Sequence, residues 1–197
     1  MTTIFFVRHS EPDLSIHDDY LRPLSPKGEL DCKLVTKFLA DKKIEVALSS
    51  PFKRAVDTIL PFASSRDLQV ETIEDFRERK ISDDWLEDFT AFTKMQWADF
   101  TYKLRDGECL LEVQERNIAA LEKVLVQHEN KNIVVGTHGT ALSVIINFYD
   151  KTYGYEDFQS IVRIFPWIVK MEFDKKNCIR IEKIDLFSLY QKVLKTY

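Results

Sequence analysis

Short apolar runs alternate with amphipathic segments along most of the chain. The apolar runs are rich in β-branched and aromatic residues, which is typical of buried strands. They predict strands over residues 3–7, 46–50 and 133–136, with a weaker strand over 68–73. Between them, apolar residues recur at helical spacing. Helices are expected over residues 26–39, from residue 51 onward, and over 84–104, 108–127 and 141–148. Two later strands, over 164–173 and 179–186, precede a short C-terminal helix.

The order of these elements predicts the α/β fold class. Strands that alternate with helices form a mostly parallel central sheet with helices on both faces, which is a three-layer α/β/α sandwich. The length of 197 residues suits a single domain over residues 1–197. Aromatic residues crowd the segment around 82–106, and we interpret it as a helical insertion or cap on that domain.

Polar side chains follow three of the predicted strands at the point where each strand ends. Arg8 and His9 follow the first strand, residues 49–54 follow the second, and Thr137 and His138 follow a later one. Ligands of open α/β sheets bind beyond the carboxyl ends of the strands. We therefore expect two histidines and two arginines to meet at one edge of the sheet.

Composition and charge argue against several classes of function. The chain has 28 Lys and Arg against 32 Asp and Glu, a net charge of −4, so no nucleic-acid partner is expected. No apolar run approaches the ~20 residues needed to cross a bilayer, so no membrane partner is expected either. The three cysteines form no C-x-x-C pair, which favours a reducing, cytoplasmic setting. A homo-oligomer is compatible with this composition but is not indicated by it.

Five short segments carry the candidate chemistry. They are Val-Arg-His-Ser-Glu at 7–11, Leu-Ser-Pro-Lys-Gly at 24–28, Ser-Ser-Pro-Phe-Lys-Arg-Ala-Val-Asp-Thr at 49–58, Phe-Arg-Glu-Arg at 76–79 and Val-Gly-Thr-His-Gly at 135–139. Together and in this order they resemble the signatures of the histidine phosphatase superfamily, also called the phosphoglycerate mutase-like family. The resemblance implies the fold of that family. For its phosphatase branch it implies hydrolysis of a small phosphorylated metabolite.

The resemblance also implies roles for five residues. His9 would attack phosphorus and form a phosphohistidine, with its other ring nitrogen protonated against a backbone carbonyl. Arg8, Arg54 and His138 would bind the phosphoryl oxygens and stabilise their charge. Glu78 would protonate the leaving oxygen and later activate water. Because arginine and histidine supply the positive charge, no metal and no cofactor is expected.

Several positions depart from the family pattern. Ser10 stands where glycine is usual, so a hydroxyl enters the phosphate loop. Ser15 stands where many members carry a phosphate-binding asparagine, and it can still donate one hydrogen bond to phosphate. The loop between His9 and Ser25 is shorter than in glycolytic mutases, and Glu78 is followed by Arg-Lys-Ile-Ser rather than by a Tyr-Gly segment. The last two departures favour a phosphatase over a mutase.

Other functions stay open on the sequence alone. A mutase would return the phosphoryl group to its substrate. A non-catalytic phosphate-binding or phosphorelay protein would keep the site without turnover. A metal-dependent hydrolase would draw its ligands from His9, Asp13, His17 and His138. Pro12 disfavours the helix that this spacing requires. Positive charge for a second anionic group of the substrate could come from Arg22, Arg77, Arg79 and Lys80.

Overall fold

One mixed sheet forms the centre of the fold. The computed structural model describes residues 1–83, 86 and 88–189. Six strands in this part of the chain are β1 (Thr2–Arg8), β2 (Val46–Ser49), β3 (Val70–Thr72), β4 (Asn132–Thr137), β5 (Trp167–Asp174) and β6 (Asn177–Ile184). Their order across the sheet is β3-β2-β4-β1-β5-β6. The first four are parallel to one another, whereas β5 pairs antiparallel with β1 and β6 pairs antiparallel with β5. The predicted mostly parallel α/β sheet is therefore confirmed.

Helices cover both faces of this sheet. They are α1 (Pro26–Leu39), α2 (Lys53–Ser64), α3 (Phe89–Ala98), α4 (Leu110–Gln127), α5 (Gly139–Tyr149) and α6 (Tyr155–Ile161), with a short 3-10 helix at Glu74–Phe76. Helix α1 begins where the sequence predicts: the Ser25 side chain accepts a hydrogen bond from the backbone N–H of Gly28 at 3.0 Å, and Pro26 takes the first helical position. Helix α2 begins at Lys53 rather than at residue 51, because Phe52 is still extended.

Strand β1 shows why the domain has three layers. Its side chains point alternately to the two faces of the sheet. Ile4 and Phe6 are fully buried among residues of α4 and α5. Phe5 and Val7 are buried among residues of α1 and α2 on the opposite face. Burial of such a side chain stabilises the fold by about 1.5–3 kcal/mol, so one strand anchors both helical layers.

Helix α3 is shorter than the helix expected over 84–104. The Asp88 side chain accepts a hydrogen bond from the backbone N–H of Ala91 at 2.8 Å and so starts the helix, which ends before the extended residue Asp99. Residues 84, 85 and 87 lie outside the described residues, so the first part of the expected helix does as well. Phe92 and Trp97 are buried, which assigns part of this aromatic segment to the core.

Helix α6 is not predicted by the sequence pattern. Two of its seven residues, Phe158 and Ile161, are buried, which is too few to give a recognisable period. Residues 162–166 after α6 form turns and bends, so strand β5 begins at Trp167 and not at residue 164. Residues 186–189 are helical, and the rest of the expected C-terminal helix lies outside the described residues. Within the described chain, no helix is both long and apolar enough to span a bilayer.

Candidate active site

Three neighbouring strands end side by side at the carboxyl edge of the sheet. Arg8, the last residue of β1, pairs with Thr137, the last residue of β4. His9 follows β1, and His138 follows β4 and is the N-cap of α5. The rings of the two histidines lie 5.3 Å apart, centre to centre, in an edge-on arrangement. The expected meeting of both histidines at one edge is therefore found in the structure.

The ring of His9 is held with one nitrogen available for reaction. Nδ1 lies 2.7 Å from the carbonyl oxygen of Ser10, which assigns the ring proton to Nδ1 and the lone pair to Nε2. Nε of Arg54 donates to this Nε2 at 3.3 Å. Burial, and then the charges of Arg54 and Arg8, lower the pKa of His9 well below 6.5. The imidazole is therefore neutral at neutral pH, with its lone pair directed at a cationic group.

Arg8 is locked in place by backbone carbonyls from the far end of the chain. Nη1 donates to the carbonyl oxygens of Ile161 and Ile164, and Nη2 donates to that of Val162 at 3.0 Å. The guanidinium also lies 3.9 Å above the centre of the Phe165 ring. Burial lowers the pKa of Arg8 to about 10, so the group stays charged at pH 7. Its buried Nε has no partner among the described residues and is free to donate to a ligand.

Arg54 on helix α2 is anchored by the loop that precedes α1. Its Nη1 donates to the carbonyl oxygen of Asp19 at 2.7 Å, and its Nη2 lies 3.6 Å from the Asp19 carboxylate. Asp19 also pairs with Arg22 at 2.9 Å. Burial lowers the pKa of Arg54 to about 10 against the raising effect of Asp19. A carboxylate thus lies close to the arginine that is expected to bind the phosphoryl group.

His138 presents a second unpaired ring nitrogen. Its Nε2 lies 2.7 Å from the Ser50 hydroxyl oxygen. That hydroxyl also accepts from the backbone N–H of Phe52 at 3.2 Å; because it has a second lone pair, it can either donate its proton to Nε2 or accept one from it. This buried Nδ1 has no partner among the described residues. Burial, and then the charges of Arg54 and His9, lower the pKa of His138 well below 6.5.

Glu78 reaches the start of helix α5, directly after His138. One carboxylate oxygen accepts from the backbone N–H of Thr140 at 2.9 Å, and the other accepts from that of Ala141 at 3.2 Å and from that of Arg79 at 2.9 Å. A carboxylate at a helix N-terminus is stabilised by the exposed N–H groups and the helix dipole. The structure therefore brings Glu78 to the same edge of the sheet as His138.

Ser15 and Ser10 are placed differently from the other candidates. The Ser15 hydroxyl donates to Asp13 at 2.7 Å in an exposed loop, and its phosphate-binding role stays a prediction. Ser10 is fully buried; its backbone N–H donates to Thr58 Oγ1 at 2.9 Å. Its hydroxyl accepts a long contact from the Cys32 thiol at 3.6 Å. The extra hydroxyl in the phosphate loop thus contacts helix α1.

Sequence reasoning missed three side chains that shape the site. Ser50 orients His138, Asp19 contacts Arg54, and Phe165 stacks on the His9 ring with ring centres 5.5 Å apart. Ser50 lies within one of the recognised segments, so the motif itself carried a signal for it. Asp19 and Phe165 lie in irregular segments whose sequence gives no period. In the described part of the chain, no group of three or more His, Cys, Asp or Glu is arranged to hold a metal ion.

Comparison with known proteins identifies the family. The model for "Histidine phosphatase superfamily (branch 1)" matches residues 4–162. The chain belongs to this superfamily. This histidine phosphatase is 27% identical over 181 residues to the protein named "Uncharacterized phosphatase PhoE" from Bacillus subtilis (strain 168), with 90% of this chain and 91% of that protein covered.

Solved structures share the fold of this histidine phosphatase. Bacillus stearothermophilus YhfR superposes with a TM-score of 0.74 at 21% identity, over 90% of this chain and 94% of that one. A phosphoserine phosphatase mutant from Entamoeba histolytica, in complex with phosphoserine, gives 0.73 at 19% identity, over 92% and 96%. A mycobacterial glucosyl-3-phosphoglycerate phosphatase gives 0.72 at 15% identity, over 92% and 96%. These likenesses confirm the phosphoglycerate mutase-like α/β fold.

Proposed function

We propose that this histidine phosphatase hydrolyses phosphomonoesters of small metabolites through a phosphohistidine at His9. The observation that carries the proposal is the hydrogen bond of His9 Nδ1 to the carbonyl oxygen of Ser10 at 2.7 Å, which leaves the lone pair on Nε2. A neutral imidazole can approach an anionic phosphomonoester that repels anionic nucleophiles. Because the low pKa of His9 keeps the ring unprotonated, the nucleophile needs no separate base.

The first half of the reaction transfers the phosphoryl group to the enzyme. Nε2 of His9 attacks phosphorus, a P–N bond forms, and the P–O bond to the leaving group breaks. The leaving oxygen takes a proton from Glu78. Nε of Arg8, the guanidinium of Arg54 and Nδ1 of His138 donate to the phosphoryl oxygens and stabilise their charge. Positive charge from Arg8 and Arg54 takes the place that a metal ion fills in other phosphatases.

The second half returns the enzyme to its starting state. Water attacks the phosphohistidine while Glu78 accepts its proton, the P–N bond breaks, and inorganic phosphate leaves. We also propose that the Ser15 hydroxyl, which donates to Asp13 in the free protein, donates to the phosphoryl group of a bound substrate. A mutase would share the first half but would pass the phosphoryl group back to an organic hydroxyl.

The substrate we propose is a small phosphorylated metabolite that also carries a carboxylate. Structural neighbours are named as phosphatases of phosphoserine and of glucosyl-3-phosphoglycerate, and one holds 3-phosphoglyceric acid. We further propose that the segment over 82–106 acts as a cap that helps to select the substrate. The three cysteines of the chain are unpaired, which supports a cytoplasmic setting.

Phosphate release from a panel of phosphomonoesters tests the proposal. Wild-type protein, His9→Ala and the control His128→Ala are assayed in excess EDTA. His128 caps the C-terminus of helix α4 and precedes strand β4, so it lies at the opposite end of that strand from His138. We expect release by wild type and His128→Ala and none by His9→Ala. Loss of release in EDTA would support a metal-dependent hydrolase, and isomerisation of phosphorylated acids without phosphate release would support a mutase.

A further inference from the structure

The segment that carries Glu78 is held by a side chain from another element. Residues 77–83 form neither a helix nor a strand, so no backbone ladder fixes them. Arg116 of helix α4 takes this role: its Nη1 donates to the carbonyl oxygens of Asp75 at 2.8 Å and Arg77 at 2.9 Å. Its Nη2 donates to the carbonyl oxygen of Glu78 itself at 3.3 Å. One guanidinium therefore fixes the backbone on which the Glu78 carboxylate stands.

Glu108, which lies just before α4, orients this guanidinium. Nε and Nη2 of Arg116 bond to the two carboxylate oxygens of Glu108 at 2.8 and 3.0 Å, which is the bidentate geometry that fixes an arginine most firmly. The same carboxylate accepts from the backbone N–H of Lys80 at 2.9 Å and from Nη2 of Arg77 at 2.8 Å. Glu108 and Arg116 together thus bond to backbone groups that precede and follow Glu78 in the sequence.

Burial makes this pair rigid. The side chains of Arg116 and Glu108 are 11% and 17% exposed, so solvent screens the pair less than it screens a surface pair. Burial opposes ionisation of Glu108, but the hydrogen bonds from Arg116 and Lys80 outweigh it and lower the pKa of Glu108. Glu108 is therefore ionised at neutral pH, and its hydrogen bonds with Arg116 are charge-assisted.

We infer that Arg116, oriented by Glu108, is a positioning residue that sets where the Glu78 carboxylate meets the leaving oxygen. The inference rests on the proposed function, in which Glu78 protonates that oxygen. The carboxylate is held from one side by the N–H groups of Thr140 and Ala141. Its backbone is held from the other side by Arg116. Three rotatable bonds separate the Glu78 backbone from its carboxylate, so the backbone anchor sets the range that the carboxylate can reach and the N–H groups select one position within it.

The dependence of rate on the leaving group separates this role from a purely structural one. An alkoxide leaves only with a proton, so its ester depends on a well-placed acid. The p-nitrophenolate ion leaves without one. A residue that acts through Glu78 therefore affects alkyl esters far more than p-nitrophenyl phosphate, whereas a loss of folded protein affects both equally. The quantity to compare is kcat/KM, because it reports the first transfer to His9 and not the later hydrolysis.

The experiment measures kcat/KM of p-nitrophenyl phosphate and of phosphoserine, an alkyl ester, for the variants Glu78→Gln, Arg116→Gln and Glu108→Gln. For Arg116→Gln we expect a loss of about tenfold or more on phosphoserine, since misplacement of a reacting group by ~1 Å costs up to ~100-fold. The loss on p-nitrophenyl phosphate should stay within about threefold. Glu108→Gln should show the same selectivity, and Arg116→Gln added to Glu78→Gln should cause no further selective loss.

Arg180→Gln is the matched control, because Arg180 lies on the edge strand β6 with its side chain 63% exposed. It should leave both esters unchanged. Equal losses on the two esters for Arg116→Gln and Glu108→Gln, or no loss at all, would overturn the inference. If Glu78→Gln itself fails to discriminate between the esters, the proposed acid role of Glu78 is wrong. If only Glu78→Gln discriminates, the positioning role of Arg116 alone is wrong.

Far-UV circular dichroism at the assay temperature shows whether each variant is folded. Should Arg116→Gln unfold, Arg116→Lys replaces it. Lysine keeps the charge but lacks the planar fork that reaches three carbonyl oxygens and both oxygens of Glu108 at once. The same selective loss on phosphoserine is expected for it, and an equal loss on both esters would again contradict the inference.

Discussion

Acid should destabilise this protein through its two buried histidines. Burial first, and then the neighbouring guanidinium groups, hold the pKa values of His9 and His138 well below 6.5. In the unfolded chain each ring returns to about 6.5. As the pH falls below that value, the unfolded state binds two protons that the folded state does not bind. The free energy of unfolding is therefore fully present above pH 6.5 and falls with pH below it.

The size of the effect follows from this difference in protonation. One histidine that is neutral in the folded state and has a pKa of about 6.5 when unfolded costs about 1–2 kcal/mol at pH 5.5. The two rings together cost about 2–3 kcal/mol, which is a large part of a typical domain stability of about 5–15 kcal/mol. His9→Asn or His138→Asn removes one titrating ring and should halve the loss.

Urea denaturation at pH 7.5 and 5.5 measures this difference directly. The comparison uses the change between the two pH values within each variant, so a general stability cost of the substitution cancels. Gly154→Ala, which changes no ionisable group and has open space around it, is the control, and its change between the two pH values should equal that of wild type. The reasoning is refuted if His9→Asn and His138→Asn both keep the full wild-type loss of stability on acidification.

Four further substitutions have expected outcomes. Asp19→Asn removes the carboxylate that competes with phosphate for Arg54. Asp19 is half exposed, and such pairs contribute about 0.2–1 kcal/mol, so the inhibition constant of inorganic phosphate should fall by up to about fivefold. A rise would contradict this. Arg79→Met removes a buried guanidinium whose nitrogens have no hydrogen-bond partner among the described residues. If burial costs more than the nearby charge of Glu78 and the rings of Phe89 and Phe92 return, the substitution should raise the free energy of unfolding in urea by about 1–3 kcal/mol, and a decrease would contradict this. Gly136→Ala places a Cβ 2.8 Å from a backbone oxygen of α2 and should cost about 1–3 kcal/mol, whereas Gly154→Ala, with open space around it, should stay within about 0.5 kcal/mol of wild type.

The parallel part of the fold was predictable because each strand carries its own signal. Strands β1 and β4 are continuous apolar runs, as strands buried on both faces are, and each ends abruptly in polar residues. Once the strands are parallel, their carboxyl ends share one edge. That geometry is sufficient to predict that His9 and His138 meet there. Helix α6 was not predictable, because its short amphipathic stretch is decided by packing against the rest of the domain and not by local pattern.

The closeness of the candidate residues was predictable, whereas the groups that hold them in place were not. General chemistry predicts a carbonyl partner for the protonated nitrogen of His9, and the structure identifies it as the carbonyl oxygen of Ser10. The anchors of Arg8 are carbonyl groups more than 150 residues away. Every residue carries the same backbone carbonyl, so the sequence does not indicate which carbonyl groups bind Arg8. The bonds from Arg116 to the segment around Glu78 escape sequence reasoning for the same reason.

Trapping of the covalent intermediate tests the central claim most directly. The protein is mixed with a phosphomonoester that it hydrolyses, and the reaction is quenched in alkali, which preserves phosphohistidine. The protein is then digested for mass spectrometry. We predict a phosphoryl group on the peptide that contains His9, lost on acid treatment and absent from His9→Asn. Steady phosphate release with no phosphorylated peptide, or with the phosphoryl group on any other residue, would contradict the account.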